Sequence, residues 1–304
     1  MFPSRSFDPR PALLLALCLA LLGASAGLHA RPAAGDGLRV MSFNVRYAAA
    51  DDGINAWEKR RGLTAKTVLL RHPDILGTQE LLLRQARYLQ AALPGYAWFG
   101  KGRNGDEVDD NDNEHMGVFY NTKRLKLLEH GDFWYSDTPD VPGSSNFGQS
   151  MPRMATWARF RDLRSGRRFY FFDTHFPHRP EAAPLRVRCA RLLLARIARL
   201  AADEPVIVTG DFNSGPDTDA HRLLTATLRD AWESAPRRTG PERTVHAFTG
   251  TPTERIDWVL FRSLEIAGME TVTDHAGALY PSDHFAVVAD LAWPSPPTAT
   301  APGP

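Results

Sequence analysis

Eight apolar runs of strand length recur along the chain, at residues 38–45, 74–78, 117–120, 154–160, 169–174, 206–210, 256–261 and 285–291. Most are too short to be helices. Apolar residues spaced three to four apart predict helices over 57–70, 82–93, 185–200 and, behind the candidate cap Asp217, 220–228. The runs at 154–160 and 169–174 follow one another directly across the turn Arg164-Ser165-Gly166-Arg167, and strict β-α-β alternation is missing. This pattern predicts an α/β fold of the α+β type, with mixed, largely antiparallel sheets covered by helices. No internal repeat has a solenoid or propeller period.

The polar residues are placed less evenly. Most apolar runs end in, or begin from, a short polar signature. Val40-Met41-Ser42-Phe43 runs into Asn44, Ile75-Leu76-Gly77 runs towards Gln79-Glu80, and Phe171-Phe172 runs into Asp173-Thr174-His175. Val206-Ile207-Val208-Thr209 leads to Gly210-Asp211-Phe212-Asn213, while Arg255-Ile256-Asp257 and Ser282-Asp283-His284 open the last two runs. Any one of these is a common turn former or capping residue. If the strand ends lie side by side, together they make one cluster of carboxylates, amides and imidazoles.

As an ordered set, Ser42-Phe43-Asn44-Val45-Arg46, Gln79-Glu80, Thr174-His175, Gly210-Asp211-Phe212-Asn213, Arg255-Ile256-Asp257 and Ser282-Asp283-His284 resemble the endonuclease/exonuclease/phosphatase superfamily. The resemblance covers residues 38–291. It extends to the bacterial exported branch, which is similar to the deadenylase group, through Trp57-x-x-Arg60-Arg61, Phe133-Trp134, Arg153-x-x-Thr156-Trp157 and His175-Phe176-Pro177-His178-Arg179. It implies a DNase I-like sandwich of two sheets flanked by helices. It also implies a divalent-metal-dependent phosphoesterase, most readily a phosphodiesterase, acting on nucleic acid, a phospholipid head group or a sugar phosphate.

In that resemblance Glu80, with Asn44 and Asp283, would hold Mg²⁺ or Mn²⁺, which suit hard oxygen ligands. His284 would be the general base with Asp257 fixing its tautomer, Asp211 and Asn213 would orient water and phosphate, and His175 would donate to developing charge. The proton acceptor is left open between Asp211 and His284. A catalytically idle relative that binds a phosphorylated ligand is the alternative. Asp173 departs from the family, where Asn often precedes Thr-His, and is expected either to change the metal or pH response or to face away.

Arg46, Arg103 and Arg153 adjoin the signatures and are candidates for binding substrate phosphate. With only five of the 36 basic residues Lys, an Arg-rich composition accounts for them equally well. The acidic run 106–114 lacks the glycine of a calcium loop and is expected to be solvated. Zinc-finger, P-loop and Gly-x-Ser-x-Gly signatures are missing.

Composition adds the setting. Arg5 and Arg10 precede an apolar stretch at 12–22 and small residues, which predicts a signal peptide over 1–30, cleaved after Ala26 or Ala30. The mature chain would then hold 34 basic and 34 acidic residues, a balance that disfavours nonspecific binding to long duplexes. The prediction is one catalytic domain over 31–293, a Pro- and Ala-rich tail over 294–304, and a monomer without a membrane anchor in the periplasm or outside the cell. Cys189, left alone after processing, is expected to be inert.

Overall fold

A computed structural model describes residues 37–105 and 111–294. The expected signal peptide, the tail from 295 onward and residues 106–110 of the acidic run lie outside the described residues.

The first sheet is built around a crossover, in which β1 (Leu38–Asn44) leads through α1 (Trp57–Arg71) to β2 (Ile75–Leu81), parallel to β1. Then come α2 (Leu83–Ala92), β3 (Tyr96–Phe99) and β4 (His115–Asn121), with β4 antiparallel to both β2 and β3. The second sheet opens with β5 (Leu125–Trp134) and β6 (Met154–Asp162). Its own crossover follows, from β7 (Arg168–His175) through α3 (Ala183–Ala201) to the parallel β8 (Val206–Asp211). After α4 (Asp219–Thr225), β9 (Arg229–Asp230), α5 (Ala231–Ser234) and β10 (Arg238–Thr239), strand β11 (Asp257–Arg262) joins β8 in the second sheet. Strands β12 (Glu265–Val272) and β13 (Ala286–Ala292) return to the first sheet, where β13 pairs antiparallel with β1. The strand orders are β10-β12-β13-β1-β2-β4-β3 and β5-β6-β7-β8-β11-β9.

Side-chain alternation explains why central strands read as unbroken apolar runs. Val40, Ile75, Phe169, Phe171, Ile207 and Val259 face the space between the sheets. Their neighbours turn the other way, Met41 and Phe43 towards α1 and α2, and Tyr170, Phe172, Val206 and Val208 towards α3 and α4. Helices therefore cover the outer face of each sheet, as the sequence pattern predicts. The cap of α4 is Thr218 rather than Asp217, its hydroxyl accepting from His221 N at 3.4 Å. Among the described residues, no helix is long and apolar enough to cross a membrane.

Candidate active site

The two crossovers bring the polar signatures together. Parallel strands carry Asn44 and Glu80 at their C-terminal ends in one sheet, and His175 opposite Asp211 in the other. Antiparallel neighbours begin where those strands end: Asp257 pairs with Asp211, and His284 sits just ahead of β13, the partner of β1. By the same rule, Glu114 and Arg153 precede β4 and β6 and arrive at the same end.

Local backbone departures aim several of these groups. Glu80 lies in an irregularity of the β2–β4 pairing between Thr78 and Leu81, at φ +59°. Asn213 is also left-handed, at φ +48°. Such conformations cost of order 1–3 kcal/mol in non-glycine residues and persist where surrounding contacts impose them. At Asn213 the contacts are visible: its N–H donates to Asp211 Oδ1 at 2.9 Å and its Nδ2 to Phe176 O at 3.0 Å.

Asn44 joins the two sheets. Its Nδ2 donates to Glu80 Oε1 at 3.1 Å and to Asp211 Oδ2 at 3.0 Å, while its Oδ1 accepts from Arg46 N–H at 2.9 Å. Glu80 Oε2 also accepts from Tyr47 N–H at 3.1 Å. The His175 Nε2 to Asp211 Oδ2 distance is 3.3 Å, and His284 Nδ1 to Asp257 Oδ2 is 2.9 Å. One set of ligand atoms from Glu80, His175 and Asp211, and another from Asp211, Asp257 and His284, each fall within 4.8 Å of one another. A third such group, His221, Asp230 and Glu233, is already occupied by the Arg255 guanidinium and is an ion-pair network.

The electrostatics are those of crowded carboxylates. Burial first, then the Asp257 charge, pushes Asp211 up to about 7. Burial also raises Asp283, with Glu80 adding repulsion, although His284 and Arg46 oppose the shift. Burial disfavours the His284 imidazolium, but Asp257, Asp283 and Asp211 together outweigh it and hold His284 well above its ordinary value. His175 shifts the other way, because burial and then Arg153 keep it neutral. Asp257 Oδ1 is buried without a hydrogen-bond partner among the described residues. Such an excess of hard oxygen atoms fits a divalent cation.

The sequence profile of the Endonuclease/Exonuclease/phosphatase family matches residues 41–284. The chain belongs to this family. Solved structures agree with that assignment. An endonuclease/exonuclease/phosphatase from Bacteroides vulgatus superposes with a TM-score of 0.79 at 31% identity, over 85% of this chain and 99% of that one. A mannosyl-6-phosphatase of Bacteroides thetaiotaomicron gives a TM-score of 0.77 at 32% identity, covering 84% of this chain and all of its own. Nocturnin of Drosophila melanogaster is 27% identical over 207 residues, 61% of this chain but only 30% of nocturnin's length. The architecture is the DNase I-like sandwich, and the family is one of phosphoric ester hydrolases.

Some sequence expectations need correcting. Glu114 belongs to the acidic run read as solvated, yet it is buried beside the site, because it enters β4 next to β2. Its Oε1 meets Arg103 Nη1 at 2.8 Å, and its Oε2 lies 3.8 Å from Arg153 Nη1 and 3.9 Å from His175 Nδ1. The three arginines differ in how far they are committed. Arg46 forks onto Asp52, at 3.2 and 3.0 Å, and Arg103 binds Asp112 and Glu114. Only Arg153 keeps Nε and Nη1 without a hydrogen-bond partner among the described residues, while its Nη2 contacts His178 Nδ1 at 3.1 Å. Asp173 faces between the sheets, accepting from Gln79 Nε2 and Thr209 Oγ1, both at 2.7 Å, and burial raises it far above a normal carboxylate. Cys189 is buried, and burial pushes its thiol above its ordinary value, consistent with an inert role.

Proposed function

We propose that this chain hydrolyses a phosphate ester by attack of water, with Mg²⁺ or Mn²⁺ held by Glu80 and Asp283 and flanked by Asp211. The observation that carries this reading is the junction made by Asn44, which binds the Glu80 and Asp211 carboxylates from opposite sheets, next to the His284–Asp257 pair. Asn44 orders the two carboxylates through Nδ2, and its oxygen, which accepts from Arg46 N–H, keeps a second lone pair for the cation. The cation, when bound, supplies Lewis-acid polarisation of the phosphoryl group.

His284 takes the proton of the attacking water as a new P–O bond forms, and Asp257 fixes Nδ1 as the ring's other donor. Neutralising the surrounding carboxylates brings His284 back towards the range of a base working near pH 7. As the ester P–O bond breaks, neutral His175 offers an N–H to the developing charge without repelling the buried cations Arg103 and Arg153. A second reading makes Asp211 the base and His284 an electrostatic stabiliser. It is favoured by the rise of Asp211 to about 7.

The idle-relative alternative is disfavoured, since Glu80, His175, Asp211, Asp257 and His284 are all present and mutually arranged. The test is hydrolysis of nucleic acids, phospholipid head groups and sugar phosphates with Mg²⁺, Mn²⁺ or chelator, read as released phosphate for monoesters and as released alcohol or new phosphomonoester ends for diesters. Turnover of at least one ester, abolished by chelator, is expected; metal-independent binding without turnover would refute the proposal. The signal-peptide expectation adds a site of action in the periplasm or outside the cell. Full-length, uncleaved protein recovered from the cytoplasm would refute that.

A further inference from the structure

The inward-facing side chains beneath the site change character one layer at a time. Strand registers set Val40 beside Ile75 and Phe171 beside Ile207, an apolar layer. Two residues further along, Ser42 lies beside Gly77 and Asp173 beside Thr209. Two further still, Asn44 lies beside Gln79 and His175 beside Asp211. Residues two apart on a strand share a face, so the middle layer sits directly under the groups of the site. Ser42, Gln79, Asp173 and Thr209 are all fully buried. A polar layer this dry is costly unless its groups are matched to one another.

Asp173 makes that match across the two sheets. From β7 its Oδ1 accepts from Gln79 Nε2 of the first sheet and from Thr209 Oγ1 of the second, both at 2.7 Å. Gln79 Nε2 also reaches Ser42 Oγ at 3.4 Å. Gly77 of β2 makes room for the carboxyl, since a Cβ there would stand 2.3 Å from Asp173 Oδ1 and 2.2 Å from Thr209 Oγ1, closer than such contacts allow. Asp173 therefore fills a notch in the opposite sheet. Each bonded residue adjoins a group of the site: Gln79 precedes Glu80, Thr209 lies two before Asp211, and Asp173 lies two before His175. Glu80 comes from one sheet, Asp211 and His175 from the other, so their separation follows the spacing of β2 from β7 and β8. Asn44 links the same carboxylates from within the site, and Asp173 fixes from below the distance that Asn44 spans.

Resting on the phosphoesterase reading above, we propose that Asp173 is a positioning residue, an inter-sheet tie that sets Glu80 against the Asp211–His175 pair. Through that spacing it governs the affinity for the divalent cation and the rate of the chemical step, while touching neither cation nor substrate. What the tie needs is one acceptor oxygen on a short planar side chain. Asn, which often stands at this position in the family, meets the same need.

The test compares Asp173→Leu, Asp173→Asn and the near-isosteric Thr209→Val in the full chain, by Mn²⁺ affinity from calorimetry and by kcat and KM on the best ester. Asp173→Leu takes the acceptor from both donors and should weaken Mn²⁺ binding and lower kcat, each by about ten- to a hundredfold, with KM little changed. Thr209→Val keeps the Gln79 bond and should do the same in smaller measure; it decides the matter if the Leu variant does not fold. Asp173→Asn keeps the acceptor oxygen and should hold both values close to the parent's. A merely structural role would lower the denaturation midpoint and leave the Mn²⁺ affinity and kcat of the folded variants unchanged. That result, or an Asn variant as impaired as the Leu one, would overturn the inference. A parent chain that binds Mn²⁺ more tightly than the Leu or Val variant, yet turns over no ester, would refute the phosphoesterase reading and leave the tie standing.

Discussion

Replacing Arg60 by Met should weaken both the fold and the reaction, although Arg60 touches no carboxylate of the site. Its fully buried guanidinium donates to four backbone carbonyls: Asn55 O at 2.9 Å, Val45 O at 2.7 Å, Pro281 O at 2.9 Å and Arg46 O at 2.6 Å. It also lies 5.2 Å from the Trp57 ring centroid. These bonds fasten the turn after Asn44 to the loop that enters Ser282-Asp283-His284. Hydrogen bonds from a charged donor contribute about 1.5–3 kcal/mol each. Four would nominally exceed 6 kcal/mol, but neighbouring bonds do not add, and removing a buried charge relieves its desolvation. A net loss of about 3–5 kcal/mol is therefore expected for Met, which preserves the apolar stem. In the surviving folded protein, a shift of about 1 Å between the two loops costs on the order of a hundredfold in kcat. Urea denaturation at constant m-value, followed by the rate of ester hydrolysis under conditions where the variant is folded, measures both effects. A variant within about 1 kcal/mol of wild type and with unchanged kcat would refute the argument.

Asp257→Asn should lower kcat by at least about a hundredfold with little change in folding, since it removes the group that fixes and charges His284; the rate on the best substrate decides this. Glu80→Gln should move activation to higher Mg²⁺ or Mn²⁺ concentration, and a metal titration superimposable on the parent's would remove Glu80 from the ligand set. Asp230 offers a pH test remote from the Glu80–Asp211 cluster. Burial works against its carboxylate, but His221 and Arg255 prevail and hold it below 3.8. The stability it contributes is present above 3.8 and lost as pH falls through the lower folded value. Asp230→Asn should therefore cost about 3–5 kcal/mol near neutrality, with the gap narrowing below pH 3.8; a gap constant from pH 6 to 3 would contradict the ion-pair reading.

Much of this architecture was legible because the central strands bury both faces, so β1, β7 and β8 stand out as apolar runs. Strand β5 did not, because it lies at a sheet edge, breaks register between Leu127 and Glu129 and leaves Lys126, Glu129 and His130 exposed. Strand β12 was hidden likewise, by Glu265, Glu270 and a bulge between Ile266 and Gly268. The polar signatures were readable as strand ends, but their convergence depends on which strands run parallel. Glu114 was missed for that reason: amid neighbouring acids its composition suggests solvent, and only the pairing of β4 with β2 carries it inward. The topological rule that reveals it, a polar residue just ahead of a strand antiparallel to a signature strand, also points to Arg153. The partial commitment of Arg46 and Arg103 to Asp52, Asp112 and Glu114 could not be seen from spacing at all.

The most direct test of the central claim is the rate of His284→Ala on the best ester found with Mg²⁺ or Mn²⁺, measured beside its urea denaturation curve. Loss of the His284 imidazole should lower kcat by a hundredfold to ten-thousandfold, on the order expected for proton transfer and charge stabilisation together, while the denaturation midpoint stays near that of the parent. A folded His284→Ala protein that hydrolyses the ester at close to the wild-type rate would contradict the account.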